Sequence, residues 1–229
     1  MNNLRSDRSR LAIVHTDTLE WQPSPSAGVW RKRLELYGPT EAGRVTSVVR
    51  YDPGSRFRPH PHPDGEEIFV LSGVFSDERG DHPAGTWLLN PEGFVHGPGS
   101  EPGCTLFVKL RQYGGEGRAQ VALDTRDASR WEEHAIDGVQ TMTLYQQEGF
   151  PEQVRLTRIA AGAVVPPRVF PGGEEIFVLD GSFSDEHGDY REGSWVRYPA
   201  GSGHTPRTER GCLLFVKKGH LTGSVQDGG

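Results

Sequence analysis

The chain has 229 residues and a mass of 25.3 kDa, room for two compact domains of roughly 100 residues that each bury a core. Its 25 Lys and Arg stand against 31 Asp and Glu, a net charge of −6 and a pI near 5.8, without the basic stripe that nucleic acid requires. No stretch approaches the roughly 18 apolar residues that span a bilayer, and 30 Gly with 17 Pro indicate many short strands and tight turns rather than long helices.

Residues 1–10 are polar and lack the apolar stretch of a secretory signal, so a cytoplasmic protein is expected. Arg31, Lys32 and Arg33 form the one dense basic run. With Trp30 and Leu34 beside them, they read as a solvated strand face rather than a phosphate site. A first glycine-bounded segment, Gly54 to Gly73, carries His60, His62 and Glu66; a second, from Gly85, carries Trp87, Pro91, Gly93 and His96. Side chains alternate faces along a strand. His60 and His62 therefore share one side, Glu66 follows on it two pleats later, and His96 arrives from another strand. By the same alternation Glu67 points away from that side, and Trp87 reads as a packing residue. Asp64 with Gly65 and Ser72 with Gly73 supply turn positions of positive φ. Cys104 is expected as buried apolar packing, and Tyr113 to Arg130 as a linker followed by the first strand of a second unit.

These segments resemble the cupin family, whose two motifs are G(x)5HxH(x)3-4E(x)6G and G(x)5PxG(x)2H(x)3N. Every specified position matches except the last, where Ser100 stands for Asn. The resemblance implies an all-β chain of double-stranded β-helix, or jelly-roll, barrels, and a barrel of about eight strands has interior room for one small site. The wording from His62 to Asp81, with Gly85, Trp87, Pro91 and Gly103 to Lys109, is similar to the cupin module of ChrR-type anti-sigma factors. That module carries a divalent metal through two His, a Glu and a more distant His, which fall here on His60, His62, Glu66 and His96. Three imidazoles and one carboxylate suit zinc or iron first, with nickel, manganese and copper also compatible. ChrR-type proteins have a separate N-terminal helical zinc domain that grips the sigma factor. Met1 to Thr16 are too short for one and contain no Cys, so nothing direct about sigma binding is expected to carry over.

The chain also repeats itself. Gly54 and Gly162, Glu66 and Glu174, Gly73 and Gly181, Trp87 and Trp195, Pro91 and Pro199, His96 and His204, and Cys104 and Cys212 all differ by 108, while Trp21 and Trp131 differ by 110. Two tandem barrels are expected, residues 1–112 with a complete metal site and 113–229 with a degenerate one. In the second copy Arg168 stands for His60 and Phe170 for His62, leaving Glu174 and His204. Two ligands beside a cation hold a metal poorly. Arg168 is expected to pair with Glu174 in the metal's place.

One divalent metal per chain is therefore expected, in the first barrel, with a small anionic ligand at the metal. No nucleic acid or membrane partner is expected, and a homodimer is left open. Two functions fit: a ChrR-like sensory or regulatory module, and a metal-dependent dioxygenase of the iron type or a related small-molecule enzyme. No separate acid, base or nucleophile constellation stands out as catalytic.

Overall fold

Short runs of β-branched and aromatic residues, cut by glycine turns, fold almost wholly into strands in the computed structural model of this chain, which describes residues 3–221. Among the described residues, the helical turns are Thr16–Thr18 and Ala128–Arg130, and no helix is long and apolar enough to cross a membrane. The protein is all-β, with two barrels in tandem.

In the first barrel the main sheet runs in the spatial order Val121–Asp124, Thr86–Asn90, Glu66–Asp77, Cys104–Leu110, Arg44–Tyr51, Val29–Tyr37 and Gln22–Pro23. A separate pair joins His60–His62 to Phe94–His96. Val29, Val49, Ile68, Val70, Leu88, Leu106 and Val108 belong to its buried core, each contributing about 1.5–3 kcal/mol when fully buried. Glu66 precedes Ile68 and Val70 by two and four residues, so alternation brings its carboxyl to the core side.

The second barrel repeats this plan in the order Ala12–His15, Ser194–Tyr198, Glu174–Asp185, Cys212–Lys218, Gln153–Ile159, Val139–Gln146 and Glu132–Glu133, with Arg168–Phe170 paired to Ser202–His204. Ile176, Val178, Val196, Leu214 and Val216 lie in its core.

The outermost strands do not follow the repeat boundary expected at residue 112. Val121–Asp124 is a strand, as anticipated within Tyr113 to Arg130, but it pairs with Thr86–Asn90 of the first barrel. Ala12–His15, near the start of the first copy, pairs with Ser194–Tyr198 of the second. The contacts accordingly divide the chain into a unit built on Thr18–Asp127 and a unit that joins Asp7–Asp17 to the chain from residue 128 onward. An alternating pattern specifies which face of a strand is buried. It does not specify which sheet edge receives the strand.

Gly73 and Gly181 show why glycine recurs at the same place in both copies. Each has φ near 70° (73° and 71°), and a Cβ there would lie 2.0 Å from Gly103 O or 2.2 Å from Gly211 O. Only glycine fits, and the long central strand bends there toward its outer hairpin.

Candidate metal centre

His60 and His62 come from a three-residue strand that pairs antiparallel with Phe94–His96, setting His96 opposite His60. Pro63, Asp64 and Gly65 then turn the chain, with φ of 59° at Asp64 and 72° at Gly65. Glu66 thus opens a different strand, Glu66–Asp77. The expectation that it lies two pleats further along the histidine strand is corrected: two consecutive positive-φ residues reverse the backbone, and Glu66 approaches from the side.

The structure gathers these residues. Ring nitrogens of His60, His62 and His96 all lie within 4.8 Å of one another. His62 Nε2 and His96 Nε2 face each other at 2.8 Å, and Glu66 Oε2 lies 3.7 Å from the first and 3.3 Å from the second. Two ligands each about 2.1 Å from one ion, at octahedral or tetrahedral angles, are separated by about 3.0–3.4 Å. The 3.3 Å separation lies in that range and the 2.8 and 3.7 Å separations lie within about 0.3 Å of it, so small side-chain shifts would let these donors hold a first-row divalent ion. His60 Nδ1 lies 2.9 Å from Arg58 O, and since a carbonyl only accepts, that nitrogen carries the hydrogen and Nε2 is left as the donor atom.

Behind the ligands stand residues that the sequence reading did not select. Asp77 Oδ2 accepts from His96 Nδ1 at 3.4 Å, and Asp77 also accepts from His82 and Arg79. Asn90 Nδ2 donates to Glu66 Oε2 at 3.1 Å. A carboxylate behind a ligating imidazole fixes its tautomer and orientation. Asp77 recurs as Asp185 at the same offset of 108 as His96 and His204, a signal available in the repeat.

Electrostatics follow from this arrangement. Burial alone would raise Glu66, but His62, His96 and Asn90 outweigh it and hold its carboxyl below the usual range. Burial opposes charge on His96 as well, yet Asp77 and Glu66 bring it up to about 9. Burial pushes His62 down, with His96 and His60 adding to the effect. An ion held on His96 Nε2 would face the Glu66 oxygen, while Nδ1 keeps its contact with Asp77.

A pocket of about 230 Å³ opens onto His60 and His62 and is also lined by Arg31, Arg33, Glu41 and Arg111. Here the reading of Arg31 to Arg33 as a solvated face is corrected. Arg31 pairs across the sheet with Val49 and Arg33 with Ser47. Both therefore face inward beside the core, with side chains only 20% and 9% exposed. Lys32, on the opposite face, lies over Trp21 with its Nζ 4.7 Å from the ring centroid. Glu67 also faces away from the site, as expected, though it is buried and accepts from Trp87 Nε1 at 3.0 Å. Cys104 and Cys212 are buried free thiols, raised by burial to about 11 and about 12.

In the second barrel Glu174 Oε2 lies 2.9 Å from His204 Nε2, and Glu174 Oε1 lies 3.0 Å from Lys218 Nζ. The expected Arg168–Glu174 pair is thus replaced by a Lys218–Glu174 pair; Lys218 occupies the position of Leu110 in the first copy and comes from the strand directly beside Glu174. Arg168 lines the same cavity. Phe170 packs on His204 with ring centroids 5.4 Å apart. Tyr198, the counterpart of Asn90, stacks on the other neighbourhood of that imidazole at 4.2 Å and 9°. The Tyr198 hydroxyl donates to Asp185, and His204 Nδ1 lies 3.1 Å from the same carboxylate. Only about 50 Å³ remains in this cavity, and two donors beside a lysine ammonium do not fit a metal ion.

A family model described as ChrR cupin-like domain matches residues 9–114 and again 118–222. No protein of curated function matches the chain in sequence. Among solved structures, a candidate dioxygenase from Nostoc punctiforme superposes with TM-score 0.77 at 16% identity, covering 95% of this chain and 85% of that one. Protein YlbA from E. coli gives 0.71 at 16% identity, over 98% and 97%. A deletion mutant of Bacillus subtilis oxalate decarboxylase gives 0.62 at 12% identity, over 91% and 76%. At such identities the likeness concerns the fold.

Proposed function

Since the chain belongs to the ChrR cupin-like family through both of its repeats, we propose that it is a metal-binding bicupin holding one divalent ion in the first barrel on His60, His62, Glu66 and His96, and that it serves as a sensory or regulatory module whose signal is a small ligand. The observation that carries this reading is the 2.8 Å approach of His62 Nε2 to His96 Nε2 beside Glu66. A bound ion would supply Lewis acidity and positive charge at the end of the pocket. The chain's own residues do the rest. Asp77 orients His96, Asn90 orients Glu66, and the pocket beside Arg31 and Arg33 admits a small anion.

The second reading, a metal-dependent oxygenase or related small-molecule enzyme, is favoured by the pocket in front of His60 and His62. The likeness in fold to a candidate dioxygenase and to oxalate decarboxylase accompanies it.

Elemental analysis of the purified protein tests the common core of both readings. About one equivalent of metal per chain is expected, with a sharp loss in Glu66→Gln. Zero metal, two equivalents per chain, or an unchanged content in Glu66→Gln would overturn it. Oxygen-electrode measurements on the iron-loaded form with small organic acids separate the two readings: uptake stoichiometric with the added acid supports the enzyme, whereas a raised Tm with no uptake supports the sensor.

A further inference from the structure

We propose that the first barrel contains a carboxylate-binding subsite made by Arg31 and Arg33, and that Glu41 of the same chain is its internal occupant, displaced when a small organic acid enters. This deepens the reading of the first barrel as a metal-bearing small-ligand site, and it rests on that reading for the ligand's other end.

Three observations converge. Arg31 Nη1 binds Glu41 Oε2 at 2.6 Å and Arg33 Nη2 binds Glu41 Oε1 at 3.0 Å, so one planar carboxylate bridges two guanidiniums. The arginines are mostly buried inside the pocket that reaches His60 and His62, whereas the Glu41 side chain is 46% exposed and comes from the connecting hairpin. Two positive charges here face one carboxylate, which leaves the site cationic with Glu41 in place and more so without it. The pocket, about 230 Å³, lies below the roughly 300 Å³ at which drug-sized sites begin, so the acid is small.

The repeat supplies an internal control. Leu36 pairs with Val45 across this hairpin, and Gln146 with Gln153 across its counterpart. Eight residues, 37–44, connect the first pair and six, 147–152, the second; the difference of two accounts for the change in repeat offset from 110 to 108. The barrel without the histidine pair thus has the shorter hairpin, with Thr141 and Thr143 at the positions of Arg31 and Arg33. Clamp, occupant and histidines are present together or absent together.

Calorimetric titration with succinate tests the proposal on the full chain, with metal content measured on the same samples. Glu41→Gln should bind succinate about tenfold more tightly than the unaltered protein, because the competent, open form is no longer held back by its own carboxylate. Arg33→Gln and Arg31→Gln should each bind about tenfold more weakly. Glu41→Gln binding no more tightly, or either arginine variant binding as well as the original, overturns it. A lowered Tm in Glu41→Gln with unaltered succinate affinity would make the contact a hairpin brace and refute the subsite. Should the samples contain no metal while succinate affinity still follows Glu41 and Arg33, the metal reading fails and the subsite stands. Normal metal with indifferent succinate binding gives the reverse.

Discussion

Each barrel sets a buried imidazole between an aspartate at the end of the long strand and a glutamate at its beginning: Asp77, His96 and Glu66 in the first, Asp185, His204 and Glu174 in the second. In both, burial works against the imidazolium and the two carboxylates prevail, holding His96 and His204 up to about 9. What differs is the company. His62 faces His96 at 2.8 Å, whereas Phe170 and Tyr198 flank His204 and Lys218 takes the free oxygen of Glu174. The Asp–His–Glu arrangement is therefore part of the scaffold common to both, and the capacity for metal lies in a few side chains laid on top of it.

The sharpest way to break this comparison is to make the first barrel like the second. His62→Phe should reduce bound metal from about one equivalent per chain to near zero, since it removes the donor facing His96 and fills the gap. Atomic absorption of the refolded variant checks it, and retention of a full equivalent would remove His62 from the ligand set. In the opposite direction, Arg168→His with Phe170→His should yield little second metal until Tyr198→Asn and Lys218→Leu are added. A double variant that already binds two equivalents would show that Tyr198 and Lys218 are no obstacle.

A smaller effect separates the two cations of the second barrel. Lys218→Met leaves Glu174 buried with His204 alone and should destabilise this barrel by on the order of 3 kcal/mol, because a buried ion pair is broken from one side. Arg168→Met should cost less than about 1 kcal/mol. Calorimetric unfolding of both variants ranks them, and a larger loss in Arg168→Met would restore Arg168 as the partner of Glu174.

A further effect is one of pH. With a folded value near 9 against an ordinary 6.5, His204 contributes its stability in full below about 6.5 and loses it as pH rises through about 9. The second barrel should therefore weaken by at most about 3 kcal/mol across that window, and His204→Gln should flatten the change. Denaturant midpoints at pH 6 and pH 9.5 decide it; equal slopes with pH in both proteins would show that His204 is neutral when folded.

How far the sequence led depends on what each residue's pattern encodes. The offset of 108 paired Glu66 with Glu174 and His96 with His204, and so exposed both the two barrels and the difference between them. The same offset relates Asp77 to Asp185, but aspartate in a turn-rich stretch is common and does not by itself mark a partner of a ligating imidazole. Arg31 and Arg33 alternate with Lys32, so two of three charges had to share a face; that this face is the inner one depends on Val49 and Ser47 across the sheet, and period 2 alone does not choose. Lys218 lies far in sequence from Glu174 and reaches it only through strand pairing, which no local pattern encodes. The destinations of Ala12–His15 and Val121–Asp124 were hidden for the same reason.

That exchange of edge strands bears on how the chain is made. Ala12–His15 leaves the ribosome before its partner Ser194–Tyr198, which is translated roughly 180 residues later; the segment waits through that interval with its backbone donors and acceptors exposed. The first barrel likewise stays one strand short until Val121–Asp124 has emerged. Closing such distant pairs is entropically slow. The earlier strand of this pair is thus among the last to settle, and a nascent chain stalled between the two repeats would present two unfinished sheet edges to its neighbours on a polysome.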